Sequence, residues 1–350
     1  DTMVDLRTTY MGVGIKNPVI LASGLTTDSP EICEKAAKDG WAGIVLKSNA
    51  ADDLNKYLPL LKIPRPRYKL LDIRGMEEWR AKPPKKSDPR NPKTGVLGKI
   101  PTDFLVTVNV VKTTNPPRTY AGIGNFYNGV EEYLKYISDS KKLLKGTECK
   151  VIASIIAQSE EGFEQQCDMI NRSDADMLEI NFGCPTFGVV RENGDLAFGG
   201  MGIYPDLVEK WCKFVTERVK GIPVGAKLPT VAPDPLACAQ AAVDGGAMGI
   251  TTSMGISHHA IPPISVDPNT LKVGHFDGVP HITYPLFSDL SITLGNVSHF
   301  TLNKLGITIS ASGGVREPLD VRRLIMAGAT SIQTQKLTMV QGVRLAQEFL

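Results

Sequence analysis

Short, β-branched apolar runs alternate with amphipathic helical stretches from one end of this 350-residue chain to the other. The runs lie at 18–22, 43–47, 151–156, 177–181, 223–227, 248–252, 307–311 and 329–333. Helical periodicity predicts helices over 29–39, 159–171, 206–220 and 234–245, and one more opening at Glu317. Near-continuous apolar strands need cover on both faces, and strands separated by helices pair in parallel. Eight such units predict a closed (β/α)8 barrel. The competing architecture is an open doubly wound sheet. No Gly-x-Gly-x-x-Gly follows the first run, so its dinucleotide-binding form is disfavoured. The expectation is a single barrel domain over 1–350.

Two insertions, at about 49–125 and 253–287, exceed ordinary loop lengths. The first holds an apolar run at 104–110 that predicts a strand. It also holds a stretch, 62–99, with twelve Lys/Arg, four Asp/Glu and six prolines. That composition fits a solvated, extended excursion, or alternatively a lid or partner surface for an anion. The second insertion carries His258 and His259. Both leave the carboxyl ends of barrel strands, where barrel enzymes place their chemistry, and so form candidate walls of one site.

With 39 Lys/Arg against 37 Asp/Glu the chain is nearly neutral, which argues against a nucleic-acid binder. No apolar run approaches the roughly 18 residues that span a bilayer, so no membrane partner is expected. Six cysteines are scattered without a Cys-x-x-Cys pair. That usage points to reduced thiols in a cytoplasmic protein with no metal site and no iron–sulfur cluster of its own.

The strand ends of a barrel converge on one mouth. Here they bring Ser23-Gly24, Lys47-Ser48, Asn181 with Cys184, Lys227, Thr252-Ser253 and Gly313-Gly314. Lysine is seldom buried unless paired, so Lys47 and Lys227 suggest an anionic or electron-rich ligand between them. The plainer reading of each is a salt bridge to a barrel glutamate such as Glu179. Gly313-Gly314 before a helix fits a phosphate cradle after the seventh strand, and equally a tight turn.

Two motifs carry a family resemblance. Asn181-Phe182-Gly183-Cys184-Pro185-Thr186 resembles the Asn-x-x-Cys-Pro-(Asn/His) motif of dihydroorotate dehydrogenases and of the pyrimidine-reducing domain of dihydropyrimidine dehydrogenase. The stretch from Gly12 through Asn17-Pro18 to Ala22-Ser23 is similar to the opening of the same family. The resemblance implies an FMN-dependent oxidoreductase with Cys184 as acid/base. It implies a cofactor site of Ala22, Ser23, Gly24, Lys47, Ser48, Asn128, Asn181, Lys227, Ser253, Gly313, Gly314, Thr334 and Gln335. Asn128, Asn181, Thr186, Met254, His258 and His259 are implied on the substrate side. The implied partners are a small-molecule substrate, a soluble oxidant or electron-transfer subunit, and a second copy of the chain in a homo-oligomer.

Several positions depart from the family pattern. Met254 stands where the family has a pyrimidine-binding asparagine, Gly183 replaces a serine, and Thr186 follows Cys-Pro. A thioether cannot pair with a pyrimidine's amide edge, so a substrate less polar than orotate is expected. Pro285-Leu286-Phe287-Ser288-Asp289 replaces a glycine-rich stretch, and Gln335-Lys336 stands where a phosphate-side glycine is expected. These changes keep open a flavin-free barrel acting as a binding or non-redox protein. The basic segment keeps open an anionic substrate such as an acyl-CoA beneath Arg65 and Arg67.

Overall fold

In the computed structural model, the described residues are 5–51, 105–107, 129–184, 191, 193–194, 200–229, 232–254, 275–276, 279–280, 283–285, 290–335, 337–338 and 342–350. The chain opens with a hairpin of β1 (Thr8–Tyr10) and β2 (Val13–Ile15), followed by β3 (Val19–Leu21), α1 (Pro30–Asp39), β4 (Gly43–Val45), β5 (Asn49–Ala50) and β6 (Leu105–Thr107). Next come α2 (Val130–Leu143), β7 (Lys150–Ile156), α3 (Glu160–Asn171), β8 (Met177–Asn181), α4 (Pro205–Arg218), β9 (Val224–Pro229), α5 (Pro235–Asp244) and β10 (Gly249–Met254). Three short strands, β11 (His275–Phe276), β12 (Val279–Pro280) and β13 (Thr283–Pro285), precede α6 (Leu290–Leu302), β14 (Thr308–Ser312), α7 (Pro318–Met326), β15 (Ser331–Thr334) and α8 (Ala346–Phe349).

The parallel order β3-β4-β7-β8-β9-β10-β14-β15 closes where β15 pairs with β3, giving the eight-stranded (β/α)8 barrel. All eight sequence-predicted strands are in it. β5 continues the line of β4 along β7. Val45 stands opposite Ile152 and Asn49 opposite Ile155, so the β4–β5 line carries one more residue than its partner. A second register shift falls between Thr251 and Met254 of β10. Such irregularities re-aim side chains, and the first lies at Lys47-Ser48. The two long insertions meet: β13 pairs antiparallel with β6, Tyr284 opposite Val106. Of the strand expected at 104–110, residues 105–107 are described, as a strand that pairs with the second excursion.

Helix starts follow the capping residues. Ser29 accepts from the Ile32 N–H, Ser159 from Gly162 and Asp234 from Ala237, with proline at the first helical position of α1 and α5. The hairpin closes the amino-terminal end of the barrel. Tyr10 and Met11 are fully buried there. They fit because β9 and β10 carry glycines: a Cβ on Gly225 would stand 2.2 Å from Met11 Cε, and one on Gly249 2.9 Å from Met11 Cγ. Asn17 of the opening motif ties β3 to the end of α1. Its amide donates to the Gly40 carbonyl and its Oδ1 accepts from the Val19 N–H. Among the described residues no helix is long and apolar enough to cross a membrane.

Candidate active site at the carboxyl mouth of the barrel

Cys184 lies just past the end of β8, on a turn fixed by Asn181. The Cys184 N–H donates to Asn181 Oδ1 at 3.1 Å, and Asn181 Nδ2 donates to Cys184 Sγ at 3.2 Å. The same Nδ2 reaches Ser48 Oγ at 3.2 Å, and Ser48 Oγ is 2.8 Å from Ser154 Oγ on β7. Ser23 Oγ lies 3.4 Å from Ser48. From outside, the turn is pressed by residues 200–202: a Cβ on Gly202 would stand 2.6 Å from the Phe182 carbonyl oxygen, a close approach that only glycine permits. The thiol is thus held by a short polar chain crossing three strands.

Lys47 sits half-buried at the irregularity between β4 and β5, its N–H bonded to the Thr27 carbonyl. Desolvation pulls its ammonium pKa below the ordinary value. Cys184 and Asp28 oppose that shift, and Lys227 adds to it. For Cys184, burial raises the thiol pKa. The Lys47 ammonium, the Asn181 hydrogen bond and Lys227 each act the other way. The resting group is therefore a protonated thiol beside cations. Because the thiolate is the nucleophile, Cys184 alkylation should rise about tenfold per pH unit and continue rising past pH 9. Mass-spectrometric labelling rates check this; a plateau below pH 8.5 would contradict it. The other five cysteines are unpaired and buried, and burial pushes Cys33, Cys167 and Cys238 up to about 12.

Lys227, on β9, is 3% exposed, and its Nζ stands 3.5 Å from Glu179 Oε1 and 3.3 Å from Gln333 Oε1. The salt-bridge alternative raised for this lysine is therefore realised. Beneath it, Glu179 Oε2 accepts from Thr251 Oγ1 at 2.5 Å and from Gln333 Nε2 at 2.8 Å, and the Tyr10 hydroxyl lies 2.7 Å from Thr251. Thr251, Gln333, Tyr10 and Ser154 are outside the residues expected from sequence. Ser154, Thr251 and Gln333 are polar residues inside otherwise apolar barrel runs, and Tyr10 comes from the hairpin.

The remaining expected residues fall as follows. Ala22 is buried and its N–H bonds the Thr334 carbonyl, which places both at one edge of the mouth. Gly313 and Gly314 follow β14 with φ of 109° and 80°, which favours glycine. A Cβ on Gly314 would stand 2.5 Å from Leu290 Cα, so this glycine also serves close packing against the start of α6. Gln335 is half-buried with its side chain against Gly24, where an added Cβ would stand 2.4 Å from Gln335 Cδ. Ser253 and Met254 end β10. Asn128, Thr186, His258, His259, the basic 62–99 segment, 286–289 and Lys336 lie outside the described residues. Among the described residues no cluster of metal-ligating side chains occurs.

Two lysines, an amide, hydroxyls and glycines in left-handed conformation are a donor set that fits an anionic, phosphate-bearing aromatic cofactor such as FMN. Against that fit, Gln335 covers part of the ground beside Gly24. Replacing it by glycine should tighten FMN binding severalfold, as measured by quenching of FMN fluorescence on titration. Unchanged or weaker binding would show that the side chain is not in the way.

Comparison with known proteins shows the family. The chain is similar to the catalytic subunit of dihydroorotate dehydrogenase B (NAD(+)) from Methanocaldococcus jannaschii, 27% identical over 94% of this chain and 85% of the relative. It is 24% identical to the NAD-dependent dihydropyrimidine dehydrogenase subunit PreA of Escherichia coli K12, over 98% of this chain and 71% of that one. The chloroplastic dihydropyrimidine dehydrogenase (NADP(+)) of Arabidopsis thaliana is 22% identical over 97% of this chain and 70% of the relative. Residues 119–349, the greater part of the chain, match the family described as dihydroorotate dehydrogenase, a family of FMN-binding oxidoreductases acting on CH–CH bonds, and the chain belongs to that family.

Proposed function

We propose that this protein is an FMN-dependent oxidoreductase acting on an activated C=C or CH–CH bond, with Cys184 as its acid/base, and that residues 1–350 form one barrel domain. The observation that carries the reading is the Asn181–Cys184 turn beside two lysines at the mouth of a barrel of this family. FMN, when bound, supplies the hydride chemistry at one substrate carbon. Cys184 holds or takes the proton of the neighbouring carbon. Asn181 orients the thiol from both sides, and Ser48 and Ser154 hold Asn181.

Lys47, Lys227, Ala22-Ser23-Gly24, Ser48, Ser253, Gly313-Gly314 and Thr334 are the residues proposed to hold FMN, with Gln335 at the edge of the same site and Asn128 and Asn181 between cofactor and substrate. Thr186, Met254, His258 and His259 are proposed for the substrate side. Because Met254 offers no paired donor and acceptor, the substrate is proposed to be other than orotate. Two of the relatives named above are called subunits, which supports electron passage to a partner subunit here. A second reading, a barrel without flavin, draws on the Gln335 side chain lying against Gly24.

The experiment is an anaerobic screen in which dihydro-compounds are mixed with the purified protein and flavin absorbance is followed. The expected result is bleaching by a CH–CH substrate and none by dihydroorotate. Rapid bleaching by dihydroorotate would overturn the substrate proposal. No bleaching by any activated CH–CH compound, with FMN bound, would count against the reaction class.

A further inference from the structure

The barrel interior below the mouth is polar where a packed apolar layer is the rule, and its protons run in one direction. Thr251 Oγ1 has one hydrogen, and at 2.5 Å it goes to Glu179 Oε2, because a carboxylate can only accept. The Tyr10 hydroxyl, 2.7 Å from the same oxygen, must therefore donate to Thr251. Gln333 Nε2 donates to Glu179 Oε2 at 2.8 Å and to Thr251 Oγ1 at 2.9 Å, leaving its Oε1 to accept from Lys227 at 3.3 Å. Every donor reaching the carboxylate converges on Oε2. Oε1 is buried, has no hydrogen-bond partner, and faces the Lys227 ammonium at 3.5 Å. Glu179 is fully buried and Lys227 is 3% exposed.

A buried ion pair of this kind is commonly no more stable than a well-packed apolar replacement. Its geometry points elsewhere. One oxygen is pinned from below by the hairpin and by β10 and β15, and the other is left for the lysine at the mouth. We propose that Glu179 is a positioning residue that keeps Lys227 charged and fixed at the mouth of the barrel, with Thr251, Gln333 and Tyr10 as its support. The proposal rests on the FMN reading for its catalytic meaning, since the ammonium so held is one of the two groups assigned to the cofactor. The other ionisable groups acting on the pair are Tyr10, Cys184 and Lys47. Burial and the Glu179 charge raise the Tyr10 phenol well above its ordinary value, and burial raises the Cys184 thiol. Both stay neutral below pH 9, so a pH dependence that differs among variants of Glu179 and Lys227 does not come from either of them.

The test compares wild type, Glu179→Gln, Lys227→Met and the double variant by unfolding midpoint across pH 5.5–9. In Glu179→Gln an ammonium loses its counter-charge, the folded state binds fewer protons than the unfolded state, and stability rises with pH relative to wild type. In Lys227→Met the carboxylate is left alone, the folded state binds more protons, and stability falls as pH rises. The limit for one proton is about a tenfold change in the unfolding constant per pH unit. The double variant carries neither charge of the pair and should match the wild-type slope. Opposite slopes in the two single variants, both abolished in the double, support the pairing. Parallel slopes in all four proteins overturn it, as does a double variant less stable than both singles.

The positioning role is read on protein carrying FMN. With Glu179→Gln its midpoint potential should fall with rising pH, relative to wild type, in the window where stability rises, and the double variant should lose that dependence. An unmoved potential with the slopes present would reduce Glu179 to a stability element and overturn the positioning claim. Slopes in a protein that binds no FMN would sink the flavin reading and leave the pairing intact.

Discussion

Cys184→Ser is expected to slow flavin reduction by substrate by about 10²–10⁴-fold while FMN stays bound, the range that general acid–base groups contribute. The hydroxyl of serine is smaller than the thiol but stands at the same position and can accept from Asn181, and the Cys184 N–H bond to Asn181 is a backbone contact, so the turn should hold its shape. What changes is proton affinity, since an alcohol is a far weaker acid than a thiol. Stopped-flow absorbance under anaerobic conditions separates the two effects. A normal flavin spectrum with a slow reductive phase is the expected pattern. Equal rates for the two proteins would remove Cys184 from the mechanism. The pH profile gives a second reading of the same claim. Burial raises the thiol pKa. If the reaction needs the proton donated, the rate should stay flat through pH 9 and fall above it. If it needs the thiolate, the rate should climb through that range without levelling.

Lys227→Ala is expected to have the second-largest effect, and on two quantities together. It removes a cation from the mouth, which should weaken FMN binding and slow hydride transfer by about 10²–10³-fold, as loss of one preorganised electrostatic contact does. It also leaves Glu179 buried beside no counter-charge, a change that costs about 3–5 kcal/mol when one partner of a buried pair is removed. Part of that cost should be recovered at low pH, where the carboxyl is protonated. Denaturant unfolding and fluorescence titration with FMN measure the two effects separately. Unchanged values of both would take Lys227 out of the site.

Strands were the most legible part of this chain. All eight barrel strands follow from apolar runs, because a strand covered on both faces has no polar face to interrupt it. Helices with a serine or aspartate cap were legible for a related reason: Ser29, Ser159 and Asp234 mark their starts chemically. The helix Val130–Leu143 was not among those expected. It begins after Gly129, with no side-chain cap, at the end of a long insertion. Yet it supports the site, since Tyr133 binds both the N–H and the carbonyl of Ser154, and Tyr136 donates to the Thr27 carbonyl that Lys47 also binds. Leu290–Leu302, interrupted by Gly295-Asn296, also lacked a clear apolar stripe.

At the site, residue types were legible and partnerships were not. Thr251 and Gln333 stand out as polar residues in apolar runs, but a run carries no record of its partner across strands, so nothing in the sequence showed that they meet Glu179. Asn17, part of the motif that carried the family resemblance, proves to be a clamp between β3 and α1. Its place in the motif reflects the fold, whereas Asn181 fixes the Cys184 turn and is proposed to serve the chemistry as well. Gln335, expected to crowd a cofactor, does lie against Gly24, and that contact is the strongest structural argument on the side of the flavin-free alternative.

The visible absorbance spectrum of the purified protein, with acid release and identification of any chromophore, tests the central claim most directly. The expected result is a yellow protein, absorbing in the flavin range, that releases FMN. A colourless folded protein that stays colourless after incubation with FMN would contradict the account, and Cys184 and its two lysines would then need a chemistry without flavin.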